Sequence, residues 1–187
     1  MPPKAKITKD DILKTAVELV RAKGEGSLNA RTIAGALGCS TQPIFSNFAG
    51  MDELRFAVIG YANDLSNEYI KKEVESGLYP TYKATGMAYI RFAKQEKQLF
   101  KLLYMRDRTL ESLPDTLEFD SHIETIVRDN TGLSLQNARL FHLEIWAYVH
   151  GIATMFATEF LDLEWELVSK MLTDVYCGLR RQYEWEK

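Results

Sequence analysis

Proline occurs only at positions 2, 3, 43, 80 and 114, and through the long intervals between them apolar residues recur three and four apart. That spacing gathers them on one side of an α-helix, and no alternating strand pattern competes with it. The chain is therefore expected to be all-α. A first helix is expected from about Lys9 to Lys23, with Thr8 and Asp11 as a capping-box pair and Ile7 placed to staple its entry. Ile12, Leu13, Ala16, Val17, Leu19 and Val20 give it a broad apolar face, and Gly24 ends it.

Two short helical phrases follow around Gly38-Cys39. Asn29 is placed to cap the first, Ala30 to Leu37, with Ile33, Ala34 and Leu37 inward and Gly38 supplying the turn. Ser40 is placed to cap the second, Thr41 to Phe48, whose apolar positions are Ile44, Phe45 and Phe48. Pro43 falls in its first turn, where the missing N–H has no helical partner to lose. Gly50 opens a longer fourth helix that Gly77 and Pro80 close. Beyond it, helices are expected at about 82–96, 98–108, 118–130, 135–160 and 163–184, with Pro114 and Asn130-Thr131-Gly132 as breaks. In the last of these Val168, Met171, Leu172, Val175 and Leu179 repeat at helical spacing, while Ala147, Gly151 and Ala153 let another helix approach the one before it. Two such helices make half of a four-helix bundle with a second chain, or bury the same faces inside a monomer.

Composition excludes several classes. No apolar run reaches 18 residues and MPPKAKITKDD has no apolar centre, so neither a membrane span nor a secretory signal is expected, and a cytoplasmic location follows. Cys39 and Cys177 stand in no ligand-like spacing and are expected to be reduced structural thiols. His142 and His150, eight residues apart on one helix, sit about 12 Å along and roughly 80° round, too far to share a metal directly. With no nucleophile elbow and no glycine-rich phosphate loop, neither an enzyme nor a cofactor or metal is expected. Charge is uneven: residues 1–50 carry seven Lys/Arg against four acids, whereas residues 61–187 carry 15 against 20. A basic head on an acidic body suits a protein that turns one end toward phosphates.

Two short helices joined by a glycine-containing turn behind an amphipathic helix describe a helix-turn-helix. Thr41, Gln42, Ser46 and Asn47 then have a use on a recognition helix, where amides pair with adenine and hydroxyls bond either base edges or phosphates. An ordinary helical hairpin with a solvated face accounts for Ser46 and Asn47 equally well.

The segments ILKTAVELVRAKG and NARTIAGALGCSTQPIFSNFAGMDEL resemble the N-terminal signature of the TetR family of bacterial transcriptional repressors, over residues 8–60. WAYVHGIATMFA, from Trp146 to Ala157, is similar to the Trp-His-Gly segment found in one group of TetR C-terminal domains. The resemblance implies a homodimer that lays the third helix of each subunit in the major groove of a palindromic double-stranded DNA operator and is released by a small-molecule effector. It implies a DNA-binding domain over residues 1–50 and an effector-binding and dimerisation domain over 51–187. Carried onto this chain, Arg31, Thr32, Ser40 and Thr41 match backbone-contacting positions, and Gln42, Pro43, Ser46 and Asn47 the base-facing surface. Phe45 stands where the family usually has a phosphate-bonding Tyr, and Met51 where it usually has a Lys. Lys4, Lys6 and Lys9 are the candidates to compensate. For the effector, the aromatic-rich body offers Phe92, Tyr104 and Trp146, with His122, His142 or His150 to orient it. A reading from a different class is a helical adaptor that binds protein rather than DNA, with a degenerate DNA-binding head; Phe45 and Met51 are its support.

Overall fold

The computed structural model describes residues 7–106 and 121–184, with side chains described through 106 and from 125 to 183. Among the described residues the secondary structure is helical throughout, without a strand. In chain order the elements are α1 (Lys9–Lys23), a 3-10 turn (Glu25–Ser27), α2 (Ala30–Ala36), α3 (Gln42–Asn47) and α4 (Met51–Glu75). Then come α5 (Thr81–Gln95), α6 (Lys97–Tyr104), α7 (Ser121–Thr131), α8 (Leu135–Ala157) and α9 (Trp165–Glu184). The all-α expectation holds, and the expected helices up to α4 begin within a residue or two of where the chain forms them.

The chain divides into two compact units. Of the described residues, 7–65 and 96–106 form the first, 66–95 and 121–184 the second. The first unit takes in the first half of α4, where Leu54, Val58 and Ala62 are fully buried. α6 also returns to the first unit: Leu99, Phe100 and Leu102 are buried there, and α1 packs on α6.

In the first unit α1 is the organising element. Thr8 accepts the Asp11 amide at 3.1 Å while the Asp11 carboxylate takes the Thr8 amide at 2.9 Å, the reciprocal capping box expected from the sequence. The Thr8 hydroxyl and amide together hold the Asp11 carboxyl below its usual range. Ile12, Ala16, Val17 and Val20 face inward, and each fully buried Val or Ile contributes about 1.5–3 kcal/mol by leaving water. Arg21 clamps the start of α6 by donating from Nε and Nη2 to Glu96 at 2.9 and 3.0 Å.

In the second unit α5 is enclosed, with Ala84, Met87, Ala88, Ile90, Phe92 and Ala93 buried against α8, α7 and α9. Gly86 makes that packing possible: a Cβ there would stand 3.1 Å from Leu172 Cδ2 and 3.5 Å from Val149 Cγ2. Arg91 pairs with Glu73 and lies 4.6 Å from the Trp165 ring centroid, which itself stacks on Phe156. Away from this core, α8 exposes Leu140 and Ala147 and half-exposes Leu143 and Gly151, while α9 leaves Leu167 46% exposed.

Candidate nucleic-acid interface and candidate ligand cavity

The helix-turn-helix is built from local hydrogen bonds. Asn29 Oδ1 accepts the Thr32 amide at 3.0 Å and the Thr32 hydroxyl at 2.9 Å, capping α2 as expected. At the other end Gly38 takes φ +63°, and the Gly38 and Cys39 amides reach back to the Gly35 and Ala34 carbonyls at 3.2 and 3.0 Å. This paired return is a Schellman turn, and its left-handed residue is where glycine is favoured. The expected Ser40 cap on α3 does not form. Thr41 takes the N-cap position in a helical conformation with no side-chain hydrogen bond, and its carbonyl accepts the Ile44 amide at 3.1 Å. The backbone closes the first turn of α3 and leaves the Ser40 and Thr41 hydroxyls out of it.

Ile44 and Phe48 seat α3, being 0% and 2% exposed. Phe45, one position round the helix from Ile44, is turned outward and 53% exposed, so it is not part of the apolar face with them. Gln42 and Ser46 are exposed beside it, with Thr41, Pro43 and Asn47 half-buried at the margins. Two of these polar groups are bonded within the helix: Ser46 Oγ donates to the Gln42 carbonyl at 3.0 Å and Asn47 Nδ2 to the Pro43 carbonyl at 2.8 Å. Thr32 has its hydroxyl on Asn29, whereas Arg31 is exposed and makes no ion pair among the described residues. From Gly26 to Met51 the sequence holds no Asp or Glu, so this surface presents donors and one cation with no acid of its own.

At the start of α4 the arrangement differs from the expectation that Lys9 compensates for Met51. Lys9 Nζ donates to Glu53 at 2.6 Å and lies 4.5 Å from the Phe48 ring centroid. Glu53 also accepts the Ala49 amide at 2.6 Å, and these two bonds, Lys9 first, hold its carboxyl below its ordinary range. Lys9 is engaged by a carboxylate within its own unit. Lys4 and Lys6 lie outside the described residues.

The second unit contains a cavity of about 640 Å³ whose walls include Tyr82, Lys83, Gly86, Ile145, Val149, Leu172, Thr173 and Tyr176. A smaller one, about 160 Å³, shares Tyr82, Gly86, Ile145 and Val149 with it and adds Tyr89, His142 and Trp146. Two Tyr–His pairs join α5 to α8: Tyr82 Oη lies 2.8 Å from His142 Nδ1, and about two turns on, Tyr89 Oη lies 2.9 Å from His150 Nδ1. The Trp146 ring stacks on His150 with centroids 5.0 Å apart. Burial pushes the His150 pKa down and the Tyr82 pKa up, favouring the neutral form of each.

Of the residues expected at the effector site, Trp146 lines the smaller cavity and His150 stacks on Trp146 without lining it. Phe92 is instead fully buried, with its ring edge-on to Tyr69. Tyr104 lies in the first unit against Phe100. The His122 side chain lies outside the described residues. Sequence reasoning missed Tyr82, Lys83 and Tyr176. A lysine early in α5 carries no mark of a cavity, since its partners Ser169 and Thr173 lie 86 and 90 residues away. Among the described residues no three His, Cys, Asp or Glu side chains cluster as a metal site, and Cys39 and Cys177 are free thiols. No protein-family model matches the chain, and no curated protein matches it.

Proposed function

We propose that this chain is a DNA-binding transcriptional regulator of the TetR type: a cytoplasmic bacterial repressor that reads a palindromic operator as a homodimer and is released by a small molecule held in its second unit. The observation that carries this reading is the surface of α3. Ile44 and Phe48 anchor the helix, the Schellman turn at Gly38 aims it, and an acid-free stretch with Arg31 outward surrounds it.

In this reading Gln42 meets a base edge, while Arg31, Ser40 and Thr41 meet phosphates. Ser46 and Asn47 keep acceptor or donor capacity beyond their intrahelical bonds, and Pro43 and Phe45 pack on sugar and thymine methyl groups. The exposed Leu140, Ala147 and Leu167 support a dimer through α8 and α9, the small residues admitting a close approach. Two half-sites demand recognition helices about 34–36 Å apart, so an effector favouring any other spacing weakens DNA binding, and DNA weakens the effector by the same factor.

Selection of bound duplexes from a random DNA pool with the purified protein tests the reading. Enrichment of an inverted repeat with half-sites about one helical turn apart supports it; no enrichment, with and without added small molecules, overturns it. Two observations favour a second reading, a protein-binding adaptor: Phe45 is 53% exposed and Lys9 is neutralised by Glu53. An adaptor of that kind shows neither sequence preference nor steep salt dependence on DNA.

A further inference from the structure

Several described cations of the second unit stand beside a carboxylate. Arg91 is paired with Glu73, Lys94 with Asp162 and Lys170 with Asp174. Lys83 Nζ instead donates to two neutral hydroxyls one turn apart on α9, Ser169 Oγ at 2.7 Å and Thr173 Oγ1 at 2.8 Å, and no carboxylate of the described residues lies within ion-pair distance. Lys83 is half-buried, and this partial loss of water lowers its pKa. Among the described residues, no Asp or Glu lines the 640 Å³ cavity that Lys83 lines.

The cavity wall is chemically mixed. Ile145, Val149 and Leu172 are each under 10% exposed and give it apolar surface, whereas Thr173 and Cys177 are exposed and Thr173 is bonded to Lys83. A guest that satisfies both kinds of wall has an apolar body and one negative charge. Lys83 Nζ, which also lies 5.0 Å from the Tyr79 ring centroid, has a third N–H beyond the two given to Ser169 and Thr173, and Lys83 and Thr173 both line the cavity. That cation is the group a carboxylate would meet here. A single cation matches a single charge; a phosphate, with about −1.5 to −2 at pH 7, would leave charge uncompensated here. The volume lies within the roughly 300–1,000 Å³ of sites for small molecules.

We propose that this cavity binds an apolar monocarboxylic acid, its carboxylate held by Lys83 Nζ and its hydrocarbon body against Ile145, Val149 and Leu172. This deepens the reading of the second unit as an effector sensor and rests on it.

Calorimetric titration of the full chain with aliphatic monocarboxylic acids of graded length and with biphenyl-4-carboxylic acid, each beside its matched primary alcohol, tests the proposal. The expected result is at least one acid bound about tenfold or more tighter than its alcohol, as a charge-assisted hydrogen bond gives. Lys83→Met should bring acid and alcohol within about threefold of each other. Unchanged far-UV circular dichroism and melting would show that the variant folds. Acid and alcohol bound equally by the native chain, no binding by any acid, or an undiminished preference in Lys83→Met overturns the proposal. No DNA enters this titration, so acid binding by a chain that selects no DNA sequence would remove the regulator reading and leave the site. Selection of an operator without acid binding would do the reverse.

Discussion

Replacing Gly38 by alanine tests the turn that aims α3. Gly38 has φ +63°, and a Cβ built on it meets no atom within 4 Å, so alanine meets no steric obstacle from the rest of the fold. The whole cost lies in the backbone: about 1–2 kcal/mol for an L-residue in the left-handed region, less about 0.4–1 kcal/mol because alanine leaves the unfolded chain fewer conformations to lose. The net loss is about 1 kcal/mol, or about fivefold in a local opening equilibrium. Hydrogen exchange followed by mass spectrometry on peptides spanning residues 30–48 reads that equilibrium, since the Gly38, Cys39 and Phe48 amides are all bonded here. Gly38→Ala should lower protection in those peptides about fivefold, and Gly38→Asn by less, because asparagine tolerates this conformation through local hydrogen bonding. Protection unchanged in the alanine variant, or lost equally in the asparagine variant, would refute the claim that backbone handedness, and not packing, fixes this position as glycine.

Three further outcomes are expected. Arg31→Met should weaken binding to a selected operator and flatten the log-log salt dependence by about 0.9 per subunit; an unchanged slope would mean that Arg31 faces no phosphate. His150 resists protonation in the fold, so its contribution to stability is complete above the unfolded value of about 6.5. It is lost as pH falls from there through the lower folded value, because the unfolded chain takes up the proton first. The melting-temperature advantage of the native chain over His150→Gln should therefore shrink between about pH 7.5 and 5.5, and parallel curves would contradict it. Ala147 is already exposed, so Ala147→Arg should cost a single chain no more than about 0.5 kcal/mol. In the proposed dimer it inserts a charged side chain into the α8 contact, and sedimentation equilibrium should show monomer; an unchanged dimer mass would place the contact elsewhere.

The sequence by itself determined where the helices lie. α1 is specified by Thr8, Asp11 and a run of apolar residues within 15 positions, and α2 by Asn29 and Gly38, all acting over one or two turns. The same local chemistry made the helix-turn-helix legible. It also misjudged α3, where a backbone bond from Ile44 to Thr41 replaced the Ser40 cap and one step round the helix turned Phe45 outward. The tertiary structure decided which faces meet. It returned α6 to the first unit, set Tyr82 against His142 across 60 residues, and brought Lys83 to Ser169 across 86. Helical periodicity specifies which side of each helix is apolar but not its partner, and a cavity exists only between partners. A lone lysine with two hydroxyls at its tip therefore becomes visible only after close approach at Gly86 has packed α5, α8 and α9 together.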